Sequence, residues 1–405
     1  MTTLIAQDEK KQKFLAALEF QGVGGMDALR KEARAILDAL PLPTTRNEAW
    51  KYTRVGKIVS GDWNVEAGNL DSIDAYALEN VEATQLVFVN GFFNENLSTI
   101  VEESGVEIRS IFENTSEEIG KHIDVEGRFF TALNTAHITG GCQIHVAKNV
   151  TAHTPIHLIH LTTNANSAAF PRHLITAAQG AQLDVVIGYH GTENVASYTN
   201  SIIEVQVGAN ARVHIDQHQK SPEQAFLMTD FGVTQADDSL FHLNTITGET
   251  GWVRNDVGVK VKGKNCTSNL YGTYVLRGKQ HLDNHTVIDH IEPHCESNEL
   301  YKGILHDKST GVFNGKVFVR QDAQKTNAFQ QNANILMSDD STMNSKPELE
   351  IYADDVKCSH GSTTGQFDDE AIFYLKARGL SDPSARQMLA EAFVGEVTEN
   401  VKYML

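Results

Sequence analysis

The feature that most constrains this chain is a long series of short segments with β alternation between residues 139 and 365. Segments such as "AQLDVVIGYH", "ARVHIDQHQ" and "SLFHLNTITG" alternate apolar and polar side chains. Turn clusters precede them and mostly recur after about 30 residues, although the interval between the fourth and fifth is longer: "AQGAQ", "GANAR", "ADDSL", "GKNCT", "DKSTG" and "SDDST". A sandwich or barrel is the alternative, but this many strands without Cys…Trp…Cys spacing favour a stacked β-solenoid.

The residue patterns at both ends of the chain differ from this β alternation. "QDEKKQKFLAALEF" and "GMDALRKEARAILDAL" predict two helices, "TQLVFVNGFF" predicts a hairpin, and "TSEEIGKHIDVEGRFFTALNTAH" predicts a capped helix. "DDEAIFYLKARG" and "SDPSARQMLAEAFVGEV" predict about two more helices at the end. We therefore expect a helix-rich α+β domain over 1–138, a solenoid over 139–365 and a helical domain over 366–405.

Charge and composition limit the classes of partner. The formal net charge is −18, which argues against nucleic acid or an anionic membrane as the main partner, because both require a concentrated positive field. No apolar run approaches the roughly 20 residues of a membrane span. The four cysteines form no CxxC pair, which favours free thiols. We expect a cytoplasmic protein.

Motifs for nucleotide binding and hydrolysis are incomplete or missing. "GVKVKGKN" nearly matches a phosphate-binding loop, but Asn265 replaces the hydroxyl that would hold magnesium, and the alternation around it predicts a strand and a turn. No G-x-S-x-G surrounds any serine. The sequence thus predicts neither an ATPase nor a serine hydrolase.

Several of the 17 histidines occur in clusters that resemble metal-binding motifs. His157 and His160 fall on opposite faces of a strand, and the pairs in "HIDQHQ" and "HLDNH" bring no acidic partner at the spacing of a known metal motif, so most are expected to be ordinary polar residues. The stretch "DHIEPHCESNELYKGIL" contains more potential metal ligands within a short span. Whether His290, His294 or Cys295 takes part in a site is left open.

The stretch "DDVKCSHGS" holds the stronger candidates. In an extended strand Cys358 and His360 lie on the same face, and a thiolate beside an imidazole suits a soft transition metal. A tetrahedral site needs four ligands. The pair is therefore either structural or part of a site completed by other groups.

Five long stretches resemble the SufB/SufD family in the same order along the chain. They are "RNEAWKYT", "HQKSPEQAFLM", "NELYKGIL", "GKVFVRQDAQKTNAFQQNANILMSDDS" and "KCSHGSTTGQFDDEAIFYLKARGLSDPSARQMLAEAFVGEV". The resemblance implies a right-handed parallel β-helix between helical N-terminal and C-terminal domains, which agrees with the pattern of the strands. Ser338 stands where we would align a SufB cysteine, and the N-terminal cysteine cluster common in SufB is absent, so the chain is more similar to the SufD branch.

The resemblance also implies a function. Members of this family form a SufB–SufD heterodimer that carries the ABC-type ATPase SufC and assembles iron–sulfur clusters. By this resemblance His360, with Cys358 beside it, is expected to supply ligands at the SufB–SufD interface, and Met388, Leu389 and Phe393 are expected to dock the ATPase. The cluster would be transient and shared with SufB. A reduced flavin is associated with such complexes, but the sequence carries no flavin fingerprint.

Two other hypotheses belong to different classes. One is a β-solenoid enzyme or carbohydrate-binding module, which would need paired acidic residues at a groove. The other is a SufD-like homodimer with a purely structural role. In the favoured hypothesis the chain is a non-catalytic scaffold, and the ATPase activity belongs to SufC.

Overall fold

The computed structural model describes residues 2–20, 24–192 and 195–405. Its helices are α1 (Thr2–Ala17), α2 (Asp27–Ala39), α3 (Gly56–Val59), α4 (Phe129–His137), α5 (Asp369–Ala377) and α6 (Asp382–Thr398). Its strands are β1 (Thr84–Val89), β2 (Phe92–Phe93), β3 (Val106–Ser110), β4 (Cys142–Val146), β5 (Ile156–Thr162), β6 (Ser167–Ala169), β7 (Arg172–Ala177), β8 (Gln182–Gly191), β9 (Ser197–Val207), β10 (Arg212–Lys220), β11 (Ala225–Gln235), β12 (Leu240–Thr247), β13 (Trp252–Val261), β14 (Thr267–Leu276), β15 (His281–His290), β16 (Glu296–Leu305), β17 (Thr310–Val319), β18 (Asn327–Leu336), β19 (Thr342–Ile351) and β20 (Lys357–Gly365).

These strands form a β-solenoid of about eight turns, which confirms the predicted architecture. Two facing ten-member stacks run along it. Sheet B has the order β2-β1-β5-β8-β10-β12-β14-β16-β18-β20, and sheet A runs from β3 through β4, β7, β9, β11, β13, β15 and β17 to β19, with β6 pairing β9. Apart from β2 and β3, which pair antiparallel, neighbouring strands are parallel and in register. The strand β1 from the N-terminal region thus belongs to the solenoid sheet. The domain division at residues 138 and 365 remains a prediction.

The inner face of the solenoid changes character along its length. In the early and middle coils, inward side chains such as Ile144, Leu158, Val185, Val213 and Phe241 form one continuous apolar core. Toward the last coils the inward positions become amides, hydroxyls and a carboxyl, and their polar atoms bond to one another. Because equivalent strand positions stack in register, the inward side chains form columns that run along the solenoid.

The turns from sheet A to sheet B explain the repeat seen in the sequence. Each places a residue with a left-handed backbone just before a buried small residue, in the order Gly180, Asn210, Asp238, Asn265, His294 and Lys325. Asparagine, aspartate and glycine accept this conformation most readily. "DKSTG" and "SDDST" belong to the opposite column of turns, after β16 and β18, so the predicted series mixed two columns. This is why one interval is longer.

Most of the predicted terminal elements are confirmed, with one correction. The two N-terminal helices, the hairpin of β1 and β2 with Asn90 and Gly91 at positive φ, and the two C-terminal helices are all present. The helix predicted over 115–137 is wrong for its first part, because α4 begins only at Phe129. Gly120 and Gly127 both have positive φ, which interrupts a helix before that point.

A buried ion pair fixes this irregular segment to sheet A. Glu204 on β9 and Arg172 on β7 are both inaccessible to solvent, and the Arg172 Nη2 to Glu204 Oε1 distance is 2.7 Å. The same carboxylate accepts hydrogen bonds from the backbone N–H groups of Gly120 and His122, and Arg172 Nη1 donates to Thr135 of α4. The ion pair therefore holds the loop through Glu204 and the helix through Arg172, and both residues belong to sheet A.

Among the described residues, no helix has the length and apolar character needed to cross a membrane.

Glu204→Ala should strongly destabilise the fold, because it leaves the Arg172 guanidinium buried without its partner. We expect the free energy of unfolding, measured by urea titration with circular dichroism, to fall by about 3–5 kcal/mol. The exposed Glu223→Ala serves as the control and should stay within about 0.5 kcal/mol of the parent chain. A loss below about 1 kcal/mol in Glu204→Ala would contradict the anchoring role.

Candidate functional site at the open end of the solenoid

The last coil of the solenoid is built from β19 and β20, and in the described part of the chain each is the final strand of its sheet. Nothing pairs with their outward edges, so a row of backbone N–H and C=O groups is left free at each. Nearly every residue of β20 is exposed. Beside this coil, the large apolar side chains Ile351 and Tyr352 are also exposed. The coil is thus an uncapped end.

Cys358 and His360 lie on the inner face of this last coil. Cys358 packs against the interior residues Val317, Ala328 and Leu349, and Ser362 Oγ contacts Ser345 Oγ across the two sheets at 2.8 Å. Because alternate residues of a strand share a face, His360 points to the same side as Cys358 and Ser362. The contacts of Cys358 and Ser362 show that this face is the interior one.

The two candidate ligands differ in environment. Cys358 is half-buried, and burial raises the pKa of its thiol, with a hydrogen bond involving the Ala328 backbone opposing the rise. His360 is exposed because no further coil covers it. The imidazole is consequently the more accessible donor of the pair.

A polar stack lies beneath His360 in the two preceding coils. In register with it are Gln330 on β18 and Glu299 on β16, both buried. Burial raises the pKa of the Glu299 carboxyl to about 7, against the hydrogen bond from the Gln330 amide, which lowers it. Next to this stack, Tyr274 donates to Asn334 Oδ1 at 2.6 Å. The interior beneath His360 is therefore polar, whereas Cys358 borders an apolar cluster.

Two ligands are the most this end supplies to a metal. No group of three or more His, Cys, Asp or Glu side chains that could hold an ion occurs in residues 2–20, 24–192 and 195–405. A tetrahedral thiolate and imidazole site would need further donors from another molecule or from the cargo itself. The arrangement suits half of a shared site.

The other metal candidates have ordinary structural positions. His294 occupies the left-handed turn position at φ 63°, Cys295 is buried immediately after it, and His290 Nε2 contacts Ser297 Oγ at 2.9 Å inside the solenoid. His160 stacks on Tyr189 in the interior, whereas His157 lies on the opposite face, as predicted from their spacing. Burial lowers the pKa of His157 to about 3, which keeps its ring neutral.

The predicted docking residues on α6 are divided between solvent and the solenoid. Met388 is 48% exposed and Leu389 is half-buried. Phe393 instead packs under the Lys302 ammonium of β16, 4.9 Å from its ring centre, and Lys302 also pairs with Glu396 at 2.5 Å. Phe393 thus fastens α6 to the solenoid in this chain.

Sequence reasoning missed two exposed aromatic residues on α5. Phe373 is 74% exposed, and Tyr374 next to it is also exposed, with the Arg378 guanidinium 4.9 Å from its ring centre. Large aromatic side chains rarely remain this exposed unless something binds them. The signal is present in "DDEAIFYLKARG", where the pair lies one turn from the helix start, but spacing alone does not show which face is free.

A groove of about 470 Å³ runs along the outer face of the last strands of sheet B and is bordered by Glu396 of α6. It carries the outward residues Tyr271, Phe329 and Gln331. Its lining also includes Glu299, Gln330 and His360. The helix α6 and the candidate ligand His360 therefore border the same groove.

Comparisons with known proteins agree with this geometry. Residues 160–393 match the family described as "SUF system FeS cluster assembly, SufBD core domain", and residues 11–158 match the "SufBD protein N-terminal region". The chain belongs to the SufBD family. It is 32% identical to the iron–sulfur cluster assembly protein SufD of Escherichia coli K12 over 89% of this chain and 86% of that protein.

Two further relatives cover nearly the whole SufBD chain. An iron–sulfur cluster assembly SufBD family protein of Synechocystis is 31% identical over 99% of this chain and 96% of its own length. The SufD protein of Bacillus subtilis is 26% identical over 92% of this chain and 89% of its own length. The resemblance expected from the sequence motifs is confirmed, and this SufBD chain is SufD-like.

Ser338 lies far from the ligand pair in this SufBD chain. It follows the end of β18, where its hydroxyl donates to the Asp307 carbonyl at 2.7 Å, whereas Cys358 is in register with Ala328 near the start of that strand. Ten residues of extended chain separate the two levels, roughly 30 Å. A ligand at position 338 would not join Cys358 and His360 within one chain.

Thiol alkylation should distinguish Cys358 from the other three cysteines. Cys142, Cys266 and Cys295 are buried, so we expect one rapid equivalent of iodoacetamide labelling in the native chain, lost in Cys358→Ala. Because burial raises the Cys358 pKa, its thiolate fraction at pH 7.5 is below that of a free cysteine, and the rate should still be rising above pH 9. A rate that levels off below pH 8 would contradict this environment, and urea-unfolded chain should label at all four.

Proposed function

We propose that this chain is the SufD-type scaffold subunit of a cytoplasmic iron–sulfur cluster assembly complex. In this proposal His360 and Cys358 supply ligands to a site that a SufB-type partner completes. The observation that carries it is the position of both side chains on the inner face of the uncapped last coil, beside two unpaired strand edges. The chain itself would not turn over a substrate.

The edges suggest how the partner binds. A second β-solenoid can add its own terminal strands to β19 and β20, which satisfies the free backbone groups on both sheets. The exposed Ile351 and Tyr352 lie at the turn between these strands and would be covered by such pairing. Joining two open coils would enclose the ligands of both chains in one shared interior.

The chemistry of the pair fits transient binding of iron and sulfide. Imidazole is a borderline ligand that exchanges more readily than thiolate, so His360 can release a nascent cluster. Cys358, with its raised pKa, stays protonated until a metal displaces the proton. We therefore assign the main ligand role to His360 and an assisting role to Cys358, with sulfur entering mainly through the partner.

The C-terminal helices are proposed as the dock for the ATPase SufC. Met388 on α6 and Phe373 on α5 present apolar anchors to solvent, as expected for helix-mediated binding. The opposite side of α6 is held on β16 through Lys302. ATP-driven movement of the docked subunit would pull on these helices and rearrange the strands that end at the open coil.

A homodimer is the second candidate for the same surface. Its support is that two copies of this chain offer identical open ends, and a closed two-fold pairing of identical edges is the common form of symmetric dimer. In that case the ligand pair would have no cluster role. Anaerobic reconstitution with iron and sulfide, with and without the SufB-type partner, separates the two.

His360→Ala should abolish cluster formation without unfolding the chain. In the assembled complex we expect iron–sulfur absorbance to fall to about a tenth or less, since even outer partners of metal ligands cost roughly 10–100-fold in affinity. Cys358→Ala should lower the absorbance less. His360 is exposed, so its removal should change the free energy of unfolding by no more than about 0.5 kcal/mol.

Ser359→Ala is the matched control for this experiment, because Ser359 lies on the same strand with its side chain on the outer face. It should leave the absorbance unchanged. Normal absorbance in His360→Ala would refute the ligand role, and a large loss of stability in both ligand variants would favour a structural role.

The docking surface is tested with charged substitutions. Phe373→Asp combined with Met388→Asp should abolish co-purification with SufC, because both side chains are exposed apolar anchors that an ATPase subunit would bury. Truncation of such anchors costs about 2 kcal/mol or more each. Thermal unfolding should be unchanged.

Glu391→Ala, at an exposed position on the same helix, is the control and should retain the ATPase. Phe393→Asp should instead loosen α6 from β16, which limited proteolysis of the tail would detect. Survival of the complex in the Phe373→Asp and Met388→Asp variant would place the dock elsewhere.

A further inference from the structure

The Gln330 side chain, in register beneath His360, is 2% exposed, and only one of its two polar atoms has a hydrogen-bond partner. Its Nε2 donates a hydrogen bond to the Glu299 carboxylate on the preceding coil. Its carbonyl oxygen Oε1 is buried and finds no partner among the described residues. Burying an amide oxygen without a hydrogen bond lowers the stability of the fold, so a donor that reaches this oxygen would be stabilising.

The orientation of the Gln330 amide is fixed from both sides. At a pH above the Glu299 pKa of about 7 the ionised carboxylate only accepts hydrogen bonds, so the amide nitrogen, rather than the oxygen, faces Glu299. On the facing sheet the opposite residue is Gly315, and a Cβ there would lie 2.4 Å from Gln330 Nε2. The missing side chain at position 315 makes the room in which the amide lies.

His360 is the one ring donor in position to reach this oxygen from the last coil. Gln330 and His360 are direct register partners, so they are one strand spacing apart, about 4.8 Å. Of their neighbours on the same inner face, Cys358 packs in an apolar cluster and Ser362 is bonded to Ser345. Since the facing strands run in opposite directions, Pro347 lies across from His360, and proline has no N–H.

We propose that Gln330, held by Glu299, is a positioning residue for His360. His360 is exposed and free to turn, and when its ring turns toward Gln330 one ring N–H donates a hydrogen bond to Oε1, which selects a single tautomer and directs the ring. The lone pair of the other ring nitrogen is then presented to the open end. Histidines that bind metals are commonly oriented by such a partner on their second nitrogen.

A purely structural role for the Glu299 and Gln330 pair explains less. Their columns pass through the solenoid interior, where well-packed apolar residues of similar volume would be as stable or more stable. Glu299 Oε1 and Gln330 Oε1 are both buried without a partner, and of the two residues Gln330 is the one in register with the exposed imidazole, as expected if its oxygen accepts a hydrogen bond from that ring. The ligand role of His360 rests on the proposed function, but the hydrogen bond itself does not.

The hydrogen bond is tested on the isolated chain labelled with ¹⁵N-histidine. The His360 ring signals are identified by their loss in His360→Asn, and the tautomer ratio is read from the two ring nitrogens at pH 8. In the parent chain one tautomer should dominate. In Gln330→Met, which keeps volume but removes the acceptor, the ratio should move toward that of free histidine by roughly two- to tenfold.

Three variants separate positioning from general structural effects. Glu299→Gln still accepts from the Gln330 amide and should retain the parent ratio, whereas Glu299→Met frees the amide and should lose it. Gln331→Met lies on the exposed outer face and should change nothing. An unchanged ratio in Gln330→Met overturns the proposal. If Gln330→Met does not fold, an unchanged ratio in Glu299→Met overturns it instead.

Iron–sulfur absorbance of the assembled complex is measured as a second, separate test. A shifted tautomer with reduced iron–sulfur absorbance in Gln330→Met supports both the positioning and the ligand role. A shifted tautomer with normal absorbance supports the hydrogen bond and refutes the ligand role of His360. These outcomes distinguish a failure of the positioning role of Gln330 from a failure of the ligand role of His360.

Discussion

A stack of parallel strands has two ends, and the free backbone groups at each end govern the rest of this structure. At the N-terminal end, the short antiparallel strands β2 and β3 cover the first parallel strand of each sheet. Short antiparallel edges of this kind limit unwanted pairing. At the C-terminal end β19 and β20 are full-length, and no further strand of the described residues covers them. This asymmetry covers one end of the solenoid and leaves the backbone groups of the other end free.

The same geometry turns a core position into a site. Along each inward column a residue is buried by the coils on either side of it, as Glu299 and Gln330 are. The last member of the column has a coil on one side only. His360 and Cys358 therefore hold interior positions while His360 remains reachable, so their reactivity follows from where the solenoid stops. A partner that extends the solenoid would bury them again.

Much of the architecture could be predicted because its causes are local. Strand alternation, turn residues and helix caps act over a few residues, and the solenoid, the hairpin and the terminal helices followed from them. The helix over 115–137 could not be placed correctly, since Gly120 and His122 are held by Glu204, about 80 residues away in the chain. "RNEAWKYT" was informative as a motif, but spacing gave no reason for its Trp50, which lies 3.9 Å from the Arg254 guanidinium on the outer face of sheet A.

The candidate site was predictable to a similar limit. A period of two places Cys358 and His360 on one face, but only the stacking order shows that this face is the interior and that no coil follows. Gln330 and Glu299 are 30 and 61 positions away from His360, respectively, so no local pattern could join them to it. Phe393 had the spacing of a docking residue, and only the position of Lys302 on β16 shows that this side of α6 is occupied.

Strand β16 contacts both the C-terminal helix α6 and the inner residues beneath His360. Lys302 on its outer face holds Phe393 and Glu396 of α6, while Glu299, three positions earlier and on the inner face, holds the Gln330 amide below His360. Because a strand is stiff along its length and packed on both faces, a displacement of α6 cannot leave the inner stack unaffected. Force applied to the C-terminal helices would thus reach the imidazole through one strand and one amide. The coupling requires no movement of the apolar core in the earlier coils.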